Sequence, residues 1–316
     1  MYAKSIYDNI RISSTIVNSI QVVSTIFMNC RTNDHGGAIF CDNVGIAITV
    51  FFCGFSNCWT TGSLSHGGGI CVKQAKESHF HTTCFRDCYA YRCPGYIIWG
   101  LSGNIVYNCS VNLTSESNAI LCEASSVTYA VQRLIYSENN VSNSRTNQLC
   151  AGVIMAIGYE CTPARFFTIC NTSGNSIMYF CPSSSVESLT VEYANFKSVR
   201  TEPGFGIAST SFNGILYFKK CTFIESSFHL GVYRYGASTG TCHLVQCTFD
   251  SLSIPSSLLN CVTNSLTITN PFTLNPHSFV QTEKCWFYSN IIPKTFISNT
   301  SPYSFTIPFL YIIIYQ

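Results

Sequence analysis

A short phrase recurs along this chain at nearly constant spacing, and few folds accommodate such a recurrence. Phe27-Met28-Asn29-Cys30 returns as Phe55-Ser56-Asn57-Cys58 and again as Phe85-Arg86-Asp87-Cys88, in steps of 28 and 30 residues. Further along, Cys221-Thr222-Phe223 returns as Cys247-Thr248-Phe249, a step of 26. Val111, Tyr136, Phe196 and Phe287 take equivalent places, and Asn171 stands in for one degenerate copy. The alignment gives about ten units with a period of about 29 residues, inside the range of solenoid repeats.

Each unit carries a second landmark after the aromatic anchor. It reads His35-Gly36-Gly37-Ala38-Ile39 in one unit and His66-Gly67-Gly68-Gly69-Ile70 in the next, with looser versions at Gly95–Ile98, Asn118–Leu121, Ala151–Ile154 and Gly206-Ile207. A third, apolar segment completes the unit: Ile46–Phe52, Ile105–Tyr107, Val127–Val131, Leu189–Tyr193, Ile215–Phe218 and His243–Val245. Alternation such as Val127, Tyr129, Val131 is the period of a strand. Three short strands per unit, separated by Gly and Asn turns, define a parallel β-helix, because one coil cannot bury its apolar face until others stack on it. The anchors then form an inward ladder with rungs about 4.8 Å apart, so about ten coils make a rod of roughly 45–50 Å. Gly36 and Gly37 fit a tight turn or a close backbone approach. Asn29, Asn57 and Asp87 stack at a turn, where short polar side chains bond the backbone.

Composition narrows the function. Of 316 residues 47% are apolar and 10% charged, with a formal net charge of +2. A disordered chain needs the opposite balance. Lys219-Lys220 is the one adjacent basic pair, so no basic stripe for nucleic acid exists. There are 24 Asn but only 5 Asp, which leaves little carboxylate for hydrolytic or lyase chemistry. The longest apolar stretches, Ala151–Tyr159 and Phe309–Tyr315, are too short for a membrane-spanning helix. Residues 1–20, with Lys4, Asp8 and Arg11 scattered through them, do not read as a secretory leader.

Phe-x-Asn-Cys followed by Gly-Gly-Ala-Ile resembles the paired motifs of polymorphic outer-membrane-protein-like repeat proteins, within the right-handed β-helix, pectin-lyase-like superfamily. The resemblance is strongest over residues 24–98 and loosens through about residue 290. It implies a single-stranded right-handed parallel β-helix. It also implies an adhesive or variable surface role of the kind found in bacterial adhesins and in surface proteins of parasitic protists. The same superfamily contains polysaccharide lyases and glycoside hydrolases that work with clustered acids, which keeps an enzymatic reading open.

The chemistry-bearing residues fall into four sets. Asp34, His35 and Asp42 surround one turn, and His66 is expected above His35 in the next coil; these are the catalytic candidates if the chain is a carbohydrate-active enzyme. Lys73 falls where Asp42 lies one coil earlier, which predicts a charge pair across the rungs. His79, His81, Cys84 and Cys88 have zinc-like spacing, although alignment on Phe85 turns both histidines outward. The 19 cysteines, an odd number, fall in columns such as Cys30, Cys58 and Cys88. They read either as small core hydrophobes or as disulfides of an oxidising compartment. Sequons occur at Asn108, Asn112, Asn140, Asn171 and Asn299, with Asn112 and Asn140 in expected turns.

The sequence therefore predicts one all-β domain over residues 1–316. Residues 1–25 form an irregular edge coil, and 299–316 a hydrophobic tail or a cap over the open end. No cofactor is expected. The expected function is non-enzymatic: a structural or adhesive rod making weak multivalent contacts with host or cell-surface glycans or proteins. A polysaccharide lyase or hydrolase, or a degenerate repeat without activity, is the alternative.

Overall fold

The computed structural model describes residues 19–112 without a break and most of 124–250, with short strands at 5–8, 12–14, 261–264, 267–268 and 312–315 outside them. Every regular element among these residues is a strand. The chain winds as a right-handed parallel β-helix whose coils present three faces. Face 1 includes Ile39–Asp42, face 2 Ala47–Phe51 and face 3 Gly54–Ser56. Face 3 stacks eleven strands in chain order, from Ser5–Asp8 to Thr267–Ile268, though not every coil carries all three strands. In two coils faces 1 and 2 are cut from one long strand, Ile70–His81 and Tyr96–Tyr107, bent by register shifts near Ala75. One ladder among the described residues is antiparallel: Ile312–Tyr315 lies beside Ser19–Val22. The remainder of the expected tail lies outside the described residues.

The anchors build the core. Register on face 3 stacks Phe27, Phe55, Phe85, Val111, Val141, Ile169, Phe196, Phe223 and Phe249 in one column. All are essentially inaccessible to solvent. Burying an aromatic side chain of this size contributes about 2–3 kcal/mol before any packing gain. Phe27, Phe55 and Phe85 lie nearly parallel, with centroids 5.0 and 4.9 Å apart. One expected anchor is corrected. Tyr136 is an inward residue of face 2, paired with Val106, and its coil is anchored by Val141. Ile169 anchors the next coil, and Asn171, which marks that degenerate copy, is its corner residue. Matching aromatic to aromatic misplaced the register where the anchor is aliphatic. The segment 126–130 likewise belongs to face 1, paired with Tyr96–Gly100. Phe287 lies outside the described residues.

Two corners of most described coils are turned by a single residue in the left-handed region. Between faces 2 and 3 these are Ser24, Phe52, Thr82, Asn108, Glu138, Phe166, Tyr193, Lys220 and Gln246, with φ between 49° and 55°. After face 3 they are Asn29, Asn57, Asp87, Asn143, Asn171, Ser198 and Glu225. One left-handed residue between extended neighbours bends the chain sharply without interrupting the ladder. Ser24, Phe52, Thr82 and Asn108 each donate their N–H to the next coil, at 2.9–3.1 Å. At the second corner Asn57 Nδ2 also donates to Asn29 Oδ1 at 2.6 Å, so the predicted turn stack of asparagines is present. The cost of this conformation for an L-residue, about 1–2 kcal/mol, is lowered by short polar side chains, and this explains the asparagines of the second corner. Gly36 has φ 64°, and a side chain on Gly37 would collide with the Gly68 carbonyl oxygen. Both glycines therefore do the work expected of them.

The residue after each corner explains many of the cysteines. Thr25, Cys53, Thr83, Cys109, Cys221 and Cys247 follow the first corner, and Cys30, Cys58, Cys88, Thr172 and Ser226 follow the second. Cys53 Sγ donates to the carbonyls of Val22 and Phe51, both at 3.3 Å. Cys109 does the same to Phe80 and Tyr107, and Thr83 to Val50 and His81. Ser226 repeats the pattern at the second corner with Phe196 and Ile224. Phe167, Ala194 and Val199 hold the position without a side-chain donor; where it is capped, it takes a small side chain that is apolar enough for the core and can still donate weakly to two carbonyls. Cys, Thr and Ser meet that requirement.

Candidate functional site

Strand alternation fixes what face 2 shows to solvent. In Ala47–Phe51 the side chains of Ile48 and Val50 point inward and Ala47, Thr49 and Phe51 outward. Register then aligns Phe51 with His81 and His81 with Tyr107 on successive coils. Phe51 is 37% exposed and Tyr107 36%. Their rings are tilted against one another: Phe51–His81 at 6.1 Å and 64°, His81–Tyr107 at 5.8 Å and 52°. Phe52, at the corner, meets Phe51 edge-on at 4.2 Å. Burial, and then the neighbouring His79, lowers the pKa of His81. The Tyr107 phenol is raised, first through its hydrogen bond with Glu138.

Beside this strip lies a cleft of about 630 Å³, lined by Glu77, His79, Ser102, Gly103, Asn104, Ile105, Gln132 and Arg133. Glu77, Gly103 and Arg133 occupy one outward column on three consecutive coils. Gly103 has no backbone reason to be glycine. A β-carbon there would meet nothing closer than 3.6 Å, and its φ lies outside the left-handed region. The missing side chain opens the notch between an acid and a base. Glu77 is 4.0 Å from His79, at the near wall.

The catalytic candidates are brought together in part. His66 lies over His35 with centroids 5.3 Å apart, and the His66 backbone N–H donates to His35 Nδ1 at 3.1 Å. That bond leaves the His35 proton on Nε2, which faces Asp34 at 4.0 Å. Burial, followed by repulsion from His35, Arg92 and Lys73, lowers the His66 pKa to about 4. Asp42 stands apart on an exposed edge of face 1, in register with Lys73. The arrangement is a histidine stack at a turn, with one carboxylate beside it and the other on the neighbouring strand.

The zinc-like set divides between two sides of the wall. His79 and His81 are outward while Phe80 between them is buried. Cys84 and Cys88 are buried, Cys84 is held in a disulfide, and Cys88 Sγ donates to Phe55 and Arg86 carbonyls. Among the described residues no group of three or more His, Cys, Asp or Glu is placed to hold a metal ion. Desolvation raises Cys41, Cys53, Cys71 and Cys109 to about 12, which suppresses their reactivity as thiolates. The sequon asparagines differ in access. Asn112 and Asn140 are 4% and 2% exposed, and Asn112 accepts a ladder bond from Asn143, whereas Asn171 is exposed at its corner. Asn299 lies outside the described residues.

The strip and the notch escaped the sequence reading. Phe51, His81 and Tyr107 each stand four residues before an anchor, at Phe55, Phe85 and Val111. That common offset is the signal that identifies them. The fold and site define the class, a right-handed parallel β-helix rod. No protein-family profile, curated protein or solved structure matches the chain. No helix among the described residues is long and apolar enough to cross a membrane.

Proposed function

We propose that this chain is a non-enzymatic, adhesive or structural rod of the polymorphic outer-membrane-protein-like kind, acting through many weak contacts on its exposed ladder faces. One observation carries the reading: outward positions of face 2 repeat in register on successive coils, so one side-chain position is offered again at each rung. Contacts of millimolar strength gain avidity when several engage together. Beads coated at graded density test this on cell monolayers under flow. Retention should rise far more steeply than density, and soluble monomer should compete poorly. Retention proportional to density, with monomer competing at equal concentration, would sink the multivalent reading.

The adjacency of Asp34, His35 and His66 supports a second reading, a carbohydrate-active enzyme working at that turn. Polygalacturonate depolymerisation by the purified chain, abolished by Asp34→Asn or Asp42→Ala, would establish it. An unchanged product profile in those variants would dismiss it.

A further inference from the structure

We infer that face 2 of the Phe55, Phe85, Val111 and Val141 coils is a binding site for a linear, uncharged oligosaccharide lying along the rod axis. The inference rests on the adhesive reading and names its ligand class. The tilted rings of Phe51, His81 and Tyr107 border one side of the track, and the notch at Gly103 forms the other.

Three features of the face select that ligand. First, it pairs apolar surface with a few placed polar groups, the usual make-up of a small-ligand site. The rings leave part of their faces open, because neighbours meet at 64° and 52°, not in parallel stacks. The C–H face of a pyranose packs on such surface. Second, the polar groups of the notch suit hydroxyls, which both donate and accept. Glu77 accepts, Arg133 donates, and Ser102 and Gln132 do both. Third, the charges balance across Gly103, with Glu77 on one side and Arg133 on the other. A polyanion running along the column must pass Glu77 and a polycation must pass Arg133, so an uncharged chain is favoured. An extended peptide added as a strand is shut out. Face 2 strands in these coils are hydrogen-bonded along both edges, leaving no backbone edge to extend. Rungs are about 4.8 Å apart, close to the rise of one sugar in an extended chain, so successive sugars meet successive rungs.

Gly103 allows a clean test, since a β-carbon there makes only ordinary contact, 3.6 Å from the Arg133 backbone oxygen, and a longer side chain fills the notch. Saturation-transfer NMR on the full chain would probe cellohexaose, chitohexaose, maltohexaose and laminarihexaose, with a heparin hexasaccharide as the charged comparison. At least one neutral hexasaccharide should bind. Gly103→Leu should weaken that binding by about tenfold or more, while circular dichroism and the melting midpoint stay unchanged. Tyr107→Ala, on the opposite border, should weaken it similarly and provides the test should Gly103→Leu misfold. Binding that survives both substitutions, a preference for the sulfated hexasaccharide, or no transfer to any neutral one would each overturn the inference. The bead assay separates the two failures. Retention of coated beads without hexasaccharide binding removes only this ligand site, whereas loss of density-dependent retention removes the adhesive reading as well.

Discussion

The coils around Phe55 and the coils around Phe223 are alike inside and different outside. Inside, Phe27, Phe55 and Phe85 stack at 5.0 and 4.9 Å, and Phe196, Phe223 and Phe249 at 4.8 and 4.6 Å, all within 12° of parallel. Outside, one register column on face 2 reads Phe51, His81, Tyr107 in the first region and Arg165, Glu192, Lys219 in the second. There the corner aromatics Phe166 and Tyr193 lie 12° from parallel and cover each other's faces, with the Lys220 ammonium 5.2 Å from the Tyr193 ring. The inward position is dictated by stacking, whereas the outward one is left for the chain to specialise. Function is therefore to be sought where outward columns differ, since the inward ones repeat.

The most damaging test of that comparison is inside the rod. Phe55→Ala and Phe223→Ala should each destabilise the protein by about 3–5 kcal/mol, since each leaves a ring-sized cavity between two close neighbours. Denaturant midpoints would read the losses. Equal losses sustain the view that the two regions share one core; a loss confined to one region would break it.

Acid should divide the regions. His66 is buried near the first, and its pKa in the folded protein, about 4, lies below the usual value of about 6.5. The unfolded chain then takes up the proton first. The stability contributed by a neutral His66 is complete above about pH 6.5 and is lost as pH falls toward 4. Melting midpoints followed from pH 7 to 4 should fall, and His66→Gln should flatten the decline. An unchanged slope in the variant would remove His66 from the account.

The corner caps give a smaller effect that should be the same in both regions. Cys109 bonds the carbonyls of Phe80 and Tyr107, and Cys221 those of Val191 and Lys219. Replacement by Ser keeps a donor and Val removes it, so the Val variants should be less stable than the Ser variants by about 1 kcal/mol at each site. Thermal midpoints of the four variants would decide it. Val equal to Ser would return these cysteines to simple space-filling.

The repeat made the architecture legible because stacking forces inward residues into one type per column. Phe-x-Asn-Cys reports the anchor, the corner and the cap in four consecutive letters. Where the anchor becomes Val141 or Ile169 the letters change while the geometry does not, so an alignment made on aromatic character drifts to Tyr136. The left-handed corners between faces 2 and 3 were harder to see. They hold Phe52, Thr82, Glu138 and Lys220, which have no common chemistry, because the ladder bonds and not the side chains impose the turn. The candidate site was less legible still. His66 over His35 followed from the repeat. The notch depends on an absent side chain at Gly103, and the strip on an offset that has meaning only once the inward column is known.

The smallest effect belongs to the charged column. Arg165 Nε lies 2.9 Å from Glu192 Oε2, with the arginine side chain 48% exposed. An ion pair so open to water contributes at most about 1 kcal/mol and less at high salt. Arg165→Ala should therefore lower stability by only about 0.5 kcal/mol in dilute buffer, and the difference should vanish in molar sodium chloride. Tyr107→Ala, at the same outward column of the other region, should respond to salt hardly at all, since it removes apolar surface. Chemical denaturation of both variants with urea, in low and high salt, separates the two. If Tyr107→Ala proved the salt-sensitive one, the outward column would be a single electrostatic device along the rod, and the division of the two regions by their outer chemistry would fail.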